Sequence, residues 1–170
     1  QGELMVGGFA FTPAQDLVLC TDRGVYYLAR QTPSDGFDLQ MLYDIDLPPE
    51  VRFNDITTDP EGRIFAGTLT PQRKHGILYR LEQGKDPAIL LQDVGTSNGM
   101  TFSLDLRFFY HTDSHVRTIT RYDYDRASGH IENPHIIYRA REEDGKPDGI
   151  TLDSEGFIWV ACWRGRQIIR

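Results

Sequence analysis

Long apolar runs are missing from this chain. The longest, Ile158 to Trp163, has six residues, far short of the roughly 18 that a membrane-spanning helix needs. No membrane partner is therefore expected. Positive charge is also scarce: Lys plus Arg number 18 against 25 Asp plus Glu, for a net charge of −7. That balance argues against nucleic acid or an anionic membrane surface as the main partner, because both need a basic patch. Cysteine is nearly absent. Cys20 and Cys162 both sit in apolar runs, too few for a disulfide framework or a zinc knuckle. They read as buried thiols of a reduced, cytoplasmic protein. No Ser-centred nucleophile elbow and no Gly-rich phosphate loop occurs. No segment holds a 3.6-residue apolar period with helix caps, so little or no helix is expected.

What is there reads as strands. Nine Phe, eight Tyr and two Trp within a 39% hydrophobic composition exclude a disordered chain. At 170 residues one domain with a real core is expected. Short runs rich in β-branched and aromatic residues recur: Leu17–Cys20, Val25–Leu28, Ile64–Gly67, Ile77–Leu81, Phe108–Thr112, Thr118–Tyr124 and Ile158–Cys162. Turn residues separate them at Asp22-Arg23-Gly24, Pro33-Ser34-Asp35-Gly36, Asp59-Pro60-Glu61-Gly62, Ala127-Ser128-Gly129 and Asp153-Ser154-Glu155-Gly156. Short strands with turns at this spacing predict an all-β fold.

The runs also repeat. Asp55-Ile-Thr-Thr-Asp-Pro-Glu-Gly-Arg-Ile-Phe-Ala matches Gly149-Ile-Thr-Leu-Asp-Ser-Glu-Gly-Phe-Ile-Trp-Val almost position by position. Weaker copies begin at Gly8 and Gly99, so the four units start 44 to 50 residues apart. A period of about 40–50 residues with about four strands per unit indicates a β-propeller. The whole chain, 1–170, is then one partial propeller with repeats near 8, 55, 99 and 149. Blades are related by rotation about a central channel, so equivalent positions form a ring around it. The residues just before the repeat starts are Gly7, Asn54, Asn98 and Asp148. Asn54, Asn98 and Asp148 should converge near the axis, where their oxygens suit a hard divalent cation. Arg52 shares a strand face with Asn54 and offers a fixed cationic fork. The competing reading is that Asn-Asp, Asn-Gly and Asp-Gly only make turns. His111, Asp113 and His115 also share a face with metal-like spacing, but they stand where a strand enters a turn and fit ordinary blade structure better.

Several segments resemble the gluconolactonase/regucalcin (senescence marker protein) family. They are Arg52-Phe53-Asn54-Asp55, Asp59-Pro60-x-Gly62-Arg63, Ser97-Asn98-Gly99-Met100, Asp113-Ser114, Tyr122-Asp123-Tyr124-Asp125, Pro147-Asp148-Gly149-Ile150 and Gly156-x-Ile158-Trp159-Val160-Ala161. The resemblance implies a six-bladed propeller, of which this chain would supply about three and a half to four blades. It implies hydrolysis of a small sugar lactone with one divalent metal: Ca²⁺ first, with Zn²⁺, Mg²⁺ or Mn²⁺ as alternatives. By position, Asn98 and Asp148 would hold the metal, Asp148 would activate water, and Arg52 and Asn54 would hold substrate. One departure stands out. The family's first blade carries a Gly-Glu-x-Pro-x-Trp block whose Glu is a metal ligand. Here Gly2-Glu3 runs on to Leu4-Met5-Val6, so Glu3 is not given that role. The alternative expectation is thus an inactive, ligand-binding propeller. An open arc of blades would leave its end faces uncovered. The chain is expected either to be the middle of a longer member or to complete the ring as a homodimer.

Overall fold

The computed structural model describes residues 3–12, 14–29 and 38–170. The turn read at Pro33-Ser34-Asp35-Gly36 lies outside them. Fifteen strands, and no helix among the described residues, follow one another as antiparallel meanders. The first sheet holds β1 (Val6–Phe11), β2 (Leu17–Thr21), β3 (Gly24–Leu28) and β4 (Leu39–Tyr43). The second holds β5 (Arg52–Thr58), β6 (Ile64–Leu69), β7 (Gly76–Leu81) and β8 (Ala88–Val94). The third holds β9 (Ser97–Phe102), β10 (Phe108–Asp113), β11 (Thr118–Asp125) and β12 (His130–Arg139). The fourth has three strands, β13 (Lys146–Leu152), β14 (Ile158–Trp163) and β15 (Gln167–Ile169). These are four blades, and each repeat start falls in the first strand of its blade.

Blade faces explain the burial pattern. Successive side chains of a strand point to opposite faces, and an inner blade has a neighbour on each. In β6, Ile64 and Ala66 join Val18, Cys20 and Val25 of the first blade, while Phe65 joins Met100 and Phe109 of the third. In β7, Tyr79 and Leu81 face back and Leu78 faces forward. The run is therefore apolar without alternation, as in any sheet covered on both sides. Phe53, Phe65 and Phe109 are fully buried, each worth roughly 1.5–3 kcal/mol over an exposed position. In contrast, β14 buries Val160 and Cys162 but exposes Trp159 and Trp163. Phe9 and Phe11 of β1 are likewise exposed. Both outer faces are left uncovered by the described residues.

A polar clamp joins the second and third blades on the side away from the ring positions. Asp59, in the β5–β6 turn, has a fully buried side chain and Arg63 is 4% exposed. Asp59 Oδ2 accepts from Arg63 Nε at 2.6 Å and from the Tyr124 hydroxyl at 2.7 Å. Arg63 also donates to the carbonyls of Arg126 and Ala127 in the β11–β12 turn. Burial, and then the Asp59 carboxylate, raise the Tyr124 phenol well above its ordinary pKa. Removing one member of a buried charged pair leaves the other uncompensated, at a cost of about 3–5 kcal/mol. Asp59→Ala should lower unfolding stability by about 3 kcal/mol or more. Tyr124→Phe, which removes one hydroxyl, should cost about 1–2 kcal/mol. Urea unfolding of both variants checks the order.

Candidate active site

The ring positions sit on β-bulges, which decides against the turn reading. Pairing skips Gly7 between Val6↔Thr21 and Gly8↔Cys20, and skips Asn54 between Phe53↔Thr68 and Asp55↔Gly67. It shifts beside Asn98, between Asn98↔Thr112 and Met100↔His111, and passes over Asp148 and Gly149 between Pro147↔Cys162 and Ile150↔Val160. A bulge adds a residue without a partner and re-aims its neighbours. Each innermost strand has one at the same height.

Those strands stand shoulder to shoulder. A Cβ on Gly7 would strike the carbonyl oxygen of Phe53, and one on Gly99 would strike the backbone of Asp148 and Ile150. Glycine is the residue that permits this approach. The result is a cavity of about 600 Å³ that Arg52, Asn54, Asn98 and Asp148 all line. The sequence-predicted residues are thus brought to one place.

Hydrogen bonds run from blade to blade across its floor. Asn54 Nδ2 donates to the Ser97 carbonyl at 2.8 Å and to Asn98 Oδ1 at 2.7 Å. Asn98 Nδ2 donates to Ser114 Oγ at 2.7 Å, and that hydroxyl donates to the Pro147 carbonyl at 2.5 Å. Both Asn54 N–H groups are then used and its Oδ1 is left to accept. Arg52 spends one N–H on the Phe53 carbonyl at 2.9 Å. Asp148 has no hydrogen-bond partner among the described residues, and burial raises its carboxyl above the ordinary value. Asp55 is raised too, first by burial and also by the charge of Asp148.

The donor chemistry at Asn98 and Asp148 fits a hard cation, since both offer oxygen. The described residues hold no group of three or more His, Cys, Asp or Glu that could share a metal. Glu3 is exposed and does not line the cavity. The His111/His115 pattern is structural. Asp113 accepts from the backbone N–H groups of Gly95, Thr96 and His115, and His111 is buried with Nε2 2.8 Å from Ser97 Oγ.

Sequence reasoning gives no role in the site to most of the remaining lining. Ser114 stands in the sequence only as part of the Asp113-Ser114 segment. Arg73, Arg117 and Arg164 come from the β6–β7, β10–β11 and β14–β15 hairpins, and Lys146 opens β13. These hairpins differ in length, so no shared spacing marks the arginines. Burial, followed by these three guanidiniums, lowers the Lys146 ammonium pKa.

The sequence profile of the SMP-30/Gluconolactonase/LRE-like region matches residues 2–170. The chain belongs to this family. Family members similar to it include regucalcin of Danio rerio, 37% identical over 131 residues, covering 75% of this chain and 44% of that protein. Pentonolactonase XacC of Haloferax volcanii is 38% identical over 135 residues, covering 79% of this chain and 46% of that protein. Among solved family structures, regucalcin from Agrobacterium tumefaciens, described as a calcium-binding protein, superposes with a TM-score of 0.81 at 26% identity. That match covers 94% of this chain and 54% of that one. The chain spans about half the length of the curated relatives it matches. Its fold is therefore the six-bladed propeller of this family, with four blades contributed here.

His111 gives the site's scaffold a pH dependence. Burial lowers its imidazole from 6.5 to about 4, against a smaller upward pull from Asp113. The unfolded chain takes up this proton below about pH 6.5 and the folded chain resists it until about pH 4. The stability contribution is therefore complete above pH 6.5 and is lost as pH falls. Between about pH 7 and pH 5 the loss should be about 2 kcal/mol. Urea midpoints across that range should fall in the parent and fall less in His111→Gln.

Proposed function

We propose that the protein hydrolyses a small sugar lactone in this cavity, using one divalent cation, Ca²⁺ first. The observation that carries the reading is the convergence of Asn54, Asn98 and Asp148 from three successive inner strands, with the Asp148 carboxylate partly desolvated and unpartnered. The relatives add support: one is named a pentonolactonase, and one solved structure is described as calcium-binding.

Lactone opening adds water to the ring carbonyl, breaks the acyl carbon–oxygen bond, and leaves a hydroxy acid anion and a proton. Asp148 is the base for that water. A carboxylate whose pKa is raised toward neutrality is a stronger base than an ordinary one. Arg52 orients substrate oxygens through the N–H groups not spent on Phe53, and Asn54 Oδ1 accepts from a substrate hydroxyl. A cation held by Asn98 and Asp148 supplies Lewis-acid polarisation of a carbonyl. The buried, free thiols Cys20 and Cys162 suit a reducing cytoplasm.

One observation favours a second reading, a binding propeller without turnover: Glu3 is exposed and stands outside the cavity. A pH-stat assay on five- and six-membered sugar lactones separates the two. Protein stripped with chelator should regain turnover when Ca²⁺ is returned. Asp148→Asn should lower kcat by about 100-fold or more. Asn98→Ala should raise the Ca²⁺ needed by about 10- to 100-fold. Absence of turnover with every metal tried would leave the binding reading.

A further inference from the structure

The cavity mouth carries charge of the wrong sign for this chain. The protein is acidic, at −7, yet five lining side chains, Arg52, Arg73, Arg117, Lys146 and Arg164, are cationic against Glu142 and Asp148. Glu142 neutralises little. Its side chain is 94% exposed and stands 3.9 Å from Arg117. Among the described residues, the side chains of Arg73, Lys146 and Arg164 have neither an ion-pair nor a hydrogen-bond partner. Like charges crowded together without acids oppose folding, so their presence calls for a counterion.

The arginines stand at the tips of tight turns. Arg73, Arg117 and Arg164 lie at φ 53°, 61° and 60°, the left-handed region that costs an L side chain energy and that glycine occupies freely. Three hairpins around one mouth each carry an arginine at positive φ. His75 and Arg166, in two of the same hairpins, also lie at positive φ without lining the cavity, so the conformation is shared and the charge is what distinguishes the mouth.

We propose that the mouth binds an anionic substituent of the substrate, remote from the lactone carbonyl, so that the preferred lactone carries a terminal phosphate ester or a second carboxylate. For the reacting group this rests on the lactonase reading; for the anion it does not. The mouth lies at the start of β5, β9 and β13, beside Arg52 and Asp148. A lactone seated on Asp148 would therefore reach the hairpins with its far end. Guanidiniums bind phosphate and carboxylate through paired N–H groups. The substituent stays bonded throughout; ring opening adds one water and releases one proton.

The test compares kcat/KM for a neutral sugar lactone, its terminal phosphate ester and its terminal carboxylate. A charged lactone should be preferred by about tenfold or more, and the preference should shrink as salt rises from about 0.05 M to about 0.5 M. The two charged arms tell phosphate from carboxylate. In R73G/R164G the charged-to-neutral ratio should fall about tenfold, while the melting temperature holds or rises because strain is relieved. R73Q/R164Q, which keeps the side-chain bulk, should lose the same ratio. Calorimetry with glucitol 6-phosphate against glucitol reads the mouth without any lactone. Equal use of neutral and charged lactones would overturn the proposal and leave the lactonase reading standing. No turnover, with glucitol 6-phosphate bound and released by R73Q/R164Q, would overturn the lactonase reading and uphold the anion site. Equal, weak binding of both polyols would overturn the anion site.

Discussion

Backbone-to-backbone contact between innermost strands is the constraint on which the cavity depends. Gly7 and Gly99 leave no room for a Cβ against the neighbouring strand, and a Cβ at Gly67 would collide with the Ser97 side chain. Widen any of these gaps and the amide of Asn54 no longer reaches Ser97 and Asn98, nor Ser114 the carbonyl of Pro147. The bulges belong to the same device. They occupy one height in every blade, so close approach and re-aimed side chains coincide where the strands are nearest.

Two kinds of cohesion divide the labour. Between blades, apolar clusters alternate along β6 and β7, one face to each neighbour. At the two ends of the propeller, polar groups lock the blades in register. The ring side uses neutral amides and a hydroxyl; the far side uses the charged pair Asp59–Arg63 with Tyr124. Apolar packing is non-directional, so it sets how tightly the blades press but not their relative height. The polar links fix the height, and the height is what lines Asn54 up with Asn98.

Much of this was legible in the sequence, for identifiable reasons. Strands announce themselves through β-branched and aromatic runs between turns, and repeats convert one local pattern into a global ring. That is why the repeat alone groups Asn54, Asn98 and Asp148 near the axis. Less was legible where two conformations share one signature. Asn-Gly and Asp-Gly suit a turn or a bulge equally well, and only the strand register separates them. The rim arginines were hidden because Arg73, Arg117 and Arg164 sit in hairpins of unequal length, where periodicity carries no information. Asp55 was read as a repeat marker; its closeness to Asp148 is a property of the ring and not of either segment.

The core between the third and fourth blades is the smallest of the three. Its buried members are Ile119, Val160 and Cys162, whereas the first cluster holds the fully buried Phe53 and the second Phe65 and Phe109. The fourth blade carries Asp148, Lys146 and Arg164. In a structure whose units contact mainly their sequence neighbours, opening starts at the weakest junction. Any molecule that spans from Arg52 to Asp148 bridges that junction, so occupancy of the cavity and closure of the junction are one equilibrium seen from two sides.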